Sequence, residues 1–145
     1  MRTIHFFSLF FLIFFSCKQT NNDLVLAHIN SIKNKYAPDS RIALWKVDFD
    51  VKNNTIKGET DSKEAKLEFF KLIESDNIDI NDSITVLPNS SIPNFGIVNN
   101  SVSNLRKSPS HSSELVSQAV LGPKLQVLKK NDEWYLVKTP EGYIS

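Results

Sequence analysis

The chain reads as an α+β protein in two small parts, a helix with a β-β-α-β unit followed by an incomplete all-β barrel. Three observations predict this. Apolar residues recur at helical spacing over Leu24 to Tyr36 and again over Ala65 to Ile73. They alternate at period two over Arg41 to Asp50, and from residue 96 onward they fall in short runs separated by Gly, Pro, Asn and Asp. Between the parts lies residues 89–95, NSSIPNF, whose Ser and Asn with a proline offer little to pack and read as a linker.

The first element is a leader. Arg2 gives a positive start, and Ile4 to Phe15 is apolar apart from His5 and Ser8, too short to span a bilayer comfortably. Cys17, the sole cysteine, follows Ser16. A lone cysteine cannot close an internal disulfide, and an exported free thiol invites oxidation. Residues 1–17 therefore read as a lipoprotein signal in which the Cys17 thiol is acylated; the bland alternative is an ordinary secretory signal with an incidental cysteine. The lipoprotein reading expects a cell-envelope protein that faces the periplasm from a lipid anchor. Residues 18–23 (KQTNND) lack apolar periodicity and read as a tether.

Residues 24–88 carry the α/β unit. Leu24, Val25, His28, Ile29, Ile32 and Tyr36 form one helical stripe that Pro38 ends. In RIALWKVDFD, Ala43, Trp45, Val47 and Phe49 share a face, and the Asn53-Asn54 turn lets TIKGET (residues 55–60) pair back as a hairpin. Asp61 with Glu64 three residues later reads as a capping box for a helix carrying Ala65, Phe69, Leu72 and Ile73. Ile84 to Leu87 is then a third strand closed by Pro88.

Residues 96–145 carry apolar runs at Ile97-Val98, Val116 to Leu121, Leu125 to Leu128 and Trp134 to Val137. Turns are expected at Gly122-Pro123, Asn131-Asp132 and Pro140-Glu141-Gly142. Leu105, Val120, Leu125, Val127, Trp134 and Ile144 are expected to be core.

The ordered series Asn104-Leu105-Arg106, Pro109, Gly122, Val127, Trp134 with Val137, and Gly142-Tyr143-Ile144 resembles the bacterial SH3 domain. The final Gly-Trp that closes the barrel in that family has no counterpart before Ser145, so the last strand is expected to be missing. More narrowly, the segment is similar to the leading SH3 domain of NlpC-type cysteine peptidases from Bacteroidetes. IKGETDSKEAKLEFFKLIE is loosely similar to the α/β region that precedes it there. The resemblance implies that the chain matches the non-catalytic N-terminal half of a γ-D-glutamyl-L-diamino acid endopeptidase, with a peptidase domain to follow. In that family a carboxylate and a tyrosine of the SH3 domain hold the free amine of an N-terminal L-alanine on a cell-wall peptide. The matching ligand-binding positions are Glu114 and Tyr143, whose charge and hydroxyl suit an ammonium group. Both also have bland readings, Glu114 as a solvated loop charge and Tyr143 as a residue packed on the barrel. Arg106 is expected to brace a loop.

Other chemistries are poorly served. A cysteine peptidase needs a thiolate, a histidine base and an orienting group, whereas the chain offers Cys17 in the leader and only His5, His28 and His111, so no catalytic residue is assigned. No HxxxH or CxxC spacing suggests a metal, and four scattered glycines make no phosphate loop, so no cofactor is expected. Asp48 and Asp50 share a strand face without apolar neighbours and read as solvated. Without Arg2 the remaining charges balance, which argues against nucleic acid as a partner. Two functions compete: a recognition and targeting module for peptidoglycan stem peptides, allied to a missing peptidase domain, or a stand-alone SH3-domain lipoprotein that binds peptidoglycan or a protein without catalysis.

Overall fold

The computed structural model describes residues 20–89 and 92–145. The expected leader with Cys17, and the start of the expected tether, lie outside them. Helix α1 (Asn21–Tyr36) begins inside the expected tether, a correction with a clear cause: the Thr20 hydroxyl accepts from the Asp23 amide while the Asp23 carboxylate accepts from the Thr20 amide. This reciprocal box satisfies donors that a helix start otherwise leaves unpaired. Val25, Ile29 and Ile32 are buried along its inner stripe.

Strands β1 (Trp45–Asp50) and β2 (Thr55–Thr60) form the expected antiparallel hairpin around Asn54, which takes a left-handed turn at φ 47°. Gly58 lies at φ 143°, and a Cβ there would sit 2.0 Å from the Lys46 carbonyl oxygen, so the close approach of β1 requires glycine. Helix α2 (Lys63–Ser75) then crosses to β3 (Asn81–Val86), which pairs parallel to β2. The sheet order is β1-β2-β3. Both helices pack on one sheet face around Trp45, Phe49, Ile56, Phe69 and Ile84. Trp45 also donates its indole N–H to the Ile29 carbonyl at 3.2 Å.

The cap of α2 departs from expectation by one residue. Ser62, not Asp61, accepts from the Ala65 amide at 3.0 Å. Asp61 is drawn away because its carboxylate accepts from the Leu44 amide at 2.7 Å and from Lys138 Nζ at 3.0 Å.

The second half holds β4 (Phe95–Ile97), β5 (Val102–Arg106), β6 (Leu115–Val120), β7 (Lys124–Asn131) and β8 (Trp134–Lys138). They form a three-stranded sheet, β4-β7-β8, and a separate pair, β5-β6, with no closed barrel. Left-handed Asp132 and positive-φ Gly122 and Gly142 occupy the three expected turns. The end of the expected linker belongs to this sheet, since the Asn94 carbonyl accepts from the Val127 amide and Phe95 opens β4. Along the outer edge of β8, Ser145 exchanges two backbone hydrogen bonds with Val137, and Ile144 bridges to Lys138. That pairing covers part of the edge expected to lie bare.

Val98, Leu105, Ala119, Leu125, Val127 and Val137 make the shallow core of this half. Two expected core residues are corrected. Val120 is 57% exposed, because the alternation of β6 turns Ala119 inward and Val120 out. Trp134 is half-buried at the mouth of a cleft and lies outside the core. A further cluster of Leu44, Leu87, Leu128 and Ile144 joins the two halves.

Candidate functional site

The sheet of the first half has a helix-covered face and a polar face. Because β1 alternates, Lys46 faces away from the helices, and its cross-strand neighbour Glu59 shares that side. The β7-β8 sheet approaches this polar face. A bulge in β7 between Val127 and Lys129 sets both Leu128 and Lys129 against the first half. Leu128 enters the joining cluster, while Lys129 Nζ reaches both oxygens of Glu59 at 2.6 and 2.7 Å.

Between these surfaces lies a cleft of about 190 Å³. Its first-half wall is Lys46 with Glu59, and its second-half wall includes Arg106, Lys107, Trp134 and Leu136. Four cations line it and are accounted for differently. Lys129 is neutralised by Glu59, and Lys107 is drawn 3.0 Å from Glu114. Arg106 donates Nη1 to the Ser113 carbonyl at 2.7 Å, which braces the β5–β6 loop as expected. Its Nε–Nη2 edge has no acceptor among the described residues, and neither has Lys46.

A second, more open groove of about 480 Å³ runs between the two sheets of the β half. Phe95, Ile97, Leu125, Val127 and Tyr135 make it largely apolar. Lys124 Nζ lies 3.6 Å from the centroid of the Phe95 ring, within cation–π range. Trp134 lines both this groove and the cleft, and the His111 ring rests against it at 5.0 Å between centroids. The indole is thus the physical link between the two concavities.

The two residues expected to hold an amine are placed apart from both. The Glu114 carboxylate is engaged by Lys107, with about two-thirds of its side chain exposed (67%). Tyr143 sits in the C-terminal turn, where its amide donates to Thr139 Oγ1 and its carbonyl accepts from the Thr139 amide. No hydrogen bond joins them, and neither lines the cleft or the groove. Asp48 is exposed, and Asp50 is held below its usual carboxylate range by hydrogen bonds from Asn53 and Lys57. His28 is bound to Asp76 at 2.7 Å on the far side of the first half. Among the described residues, no three His, Cys, Asp or Glu side chains converge as a metal site.

Sequence reasoning missed Lys46 and Glu59 because strand alternation marks them only as solvent-facing. What gives them a role is the arrival of β7 and β8, which no local pattern encodes. Trp134 carried a usable signal, since a tryptophan beside Tyr135 in a strand leaves one of the two large rings without a core to enter.

Comparison with protein families matches residues 100–145 to the bacterial SH3 domain. No curated protein and no solved structure matches the chain. Residues 100–145 are therefore a bacterial SH3 domain, a class of module that commonly binds peptidoglycan.

Proposed function

We propose that the chain is the wall-recognition part of an envelope lipoprotein, binding stem peptides of peptidoglycan through its SH3 domain. In this reading it corresponds to the non-catalytic N-terminal half of a γ-D-glutamyl-L-diamino acid endopeptidase, and catalysis would come from a domain outside this chain. The observation that carries the reading is the SH3 match over residues 100–145 together with Trp134 of that domain, a half-buried indole shared by the cleft between the halves and the groove of the β half. Tryptophan is well suited to such a place, offering broad contact area with few torsions to freeze on binding. Acylation of Cys17 would hold the module at the membrane, and Glu114 with Tyr143 would receive the free amine of the peptide.

Retention of the detergent-solubilised full chain on purified peptidoglycan tests this. The full chain is expected to be retained, and Trp134→Ala to lose at least about tenfold in affinity, in line with a binding hot spot. Failure of the unaltered chain to bind sacculi would end the wall-binding reading. Glu114→Gln and Tyr143→Phe address the amine contact: equal binding of N-acetylated and free-amine peptides by the unaltered chain removes it. Radiolabelled palmitate incorporation that persists in Cys17→Ser would exclude the anchor.

A further inference from the structure

We infer that the cleft between the two halves is a carboxylate-binding subsite that takes the acidic end of a short peptide. The inference deepens the wall-peptide reading and rests on it for the choice of peptide, but not for the anion.

The guanidinium of Arg106 is pre-oriented. Ser113 holds Nη1, which leaves the Nε–Nη2 edge, the pair of parallel N–H donors that matches a carboxylate in two-point contact. The same molecule displays that grip elsewhere: Arg41 holds Asp39 through Nε at 3.0 and 3.1 Å and Nη2 at 2.7 Å. Among the described residues no carboxylate side chain pairs with Arg106. Across the cleft Lys46 adds a second positive charge without a partner among the described residues, while the single acidic side chain lining the wall, Glu59, is consumed by Lys129. An anion entering here meets two cations and displaces no internal ion pair.

The remaining wall mixes the polar Asn104, Ser108 and Asn131 with apolar surface from Leu105, Pro109, Trp134 and Leu136. A bare inorganic anion would waste this surface, whereas a peptide end carries both a carboxylate and aliphatic carbons. The size is consistent with one residue. About 190 Å³ falls below the roughly 300–1,000 Å³ of pockets that engulf drug-sized ligands.

The test is titration of the solubilised full chain with L-alanyl-γ-D-glutamate, its diamide, and inorganic phosphate, followed by indole fluorescence with Trp134→Phe as the blank. Trp45 is buried in the first half, so the ligand-dependent signal belongs to Trp134. The diacid is expected to bind and the diamide to bind at least about tenfold more weakly, as loss of a charge-assisted contact predicts. Lys46→Gln should weaken the diacid several-fold and steepen no unfolding curve, since Lys46 holds no internal partner. Arg106→Lys should retain more affinity than Arg106→Gln. Equal binding of acid and diamide, no binding of the diacid, or an unchanged affinity in Lys46→Gln each overturns the inference. Phosphate competing as well as the diacid overturns the carboxylate assignment. Sacculus retention measured in parallel separates the two readings, because retention without acid preference removes this subsite and leaves wall binding in place.

Discussion

The two halves bury their apolar residues in different ways. In the first, two helices lie over one sheet face, and Val25, Ile56, Ala65 and Phe69 are wholly sealed. In the second, two small sheets face each other without helices, and every member of its internal core keeps some exposure. Phe95, Ile97, Val102, Leu115, Val120, Leu121, Tyr135 and Tyr143 stand exposed there, against Leu26, Ile42, Val51 and Leu67 in the first half. A helix-covered sheet uses its apolar surface for stability, whereas an open pair of sheets keeps apolar surface available to a ligand. The second half compensates by leaning on the first through Leu128 and Ile144.

The sharpest way to break the contrast is a matched pair of truncations. Phe69→Ala should cost about 3–5 kcal/mol in urea unfolding, because a sealed ring leaves a cavity that its neighbours cannot fill. Leu125→Ala should cost near the lower end of the usual range, about 2 kcal/mol, since the adjoining groove admits water. Comparable losses in the two variants would show that the second core is as tightly closed as the first.

Next in size is the seam. Leu128→Ala should cost about 2–4 kcal/mol and separate the unfolding transitions reported by Trp45 and Trp134, which are expected to coincide in the unaltered protein. Asp61→Asn should cost about 1–3 kcal/mol, since it leaves Lys138 without its charged partner and weakens the bond to Leu44. A double-mutant cycle with Lys138→Met isolates the pair, and a coupling energy near zero would assign the loss to the Leu44 bond.

The smallest effect concerns the turn that presents Arg41, whose carbonyl accepts from Ile144 at 2.6 Å. Asp39 is lowered to about 2, chiefly by the side-chain hydrogen bonds from Arg41 and then by the Arg41 amide. A depressed carboxylate stabilises the fold above its unfolded value of 3.8 and loses that contribution as pH falls through about 2. Asp39→Asn should therefore be slightly less stable than the unaltered protein at pH 5 and indistinguishable from it near pH 1.5. A gap of the same size at both pH values would show that charge is not the cause.

Much of the fold was legible. The helix stripe at Val25, Ile29 and Ile32, the alternation of Trp45, Val47 and Phe49, and the turns at Asn54, Gly122 and Asp132 all follow from local periodicity and backbone preference. Errors arose where a residue had two suitors. Asp61 is a sound cap by spacing, yet the Leu44 amide and Lys138 compete for it, and a serine one position on does the capping instead. Trp134 and Val120 looked like core because apolar residues in strands usually are, but a two-layer fold without helices has less interior than its composition suggests. The cleft was illegible for a different reason: Lys46 and Arg106 are sixty positions apart, and only the docking of the halves makes them opposite walls.

The bulge in β7 bears on whether the second half can be exchanged as a cassette. One extra residue turns Leu128 and Lys129 outward together, so the strand carries its own plug and its own key for the neighbouring half. Transplanted onto another scaffold, the same strand would offer a greasy knob beside an idle ammonium group. Deleting the extra residue would leave Lys129, Lys130 and Asn131 opposite their present β8 partners and remove only the plug. Portability, for this half, ends at a single added residue.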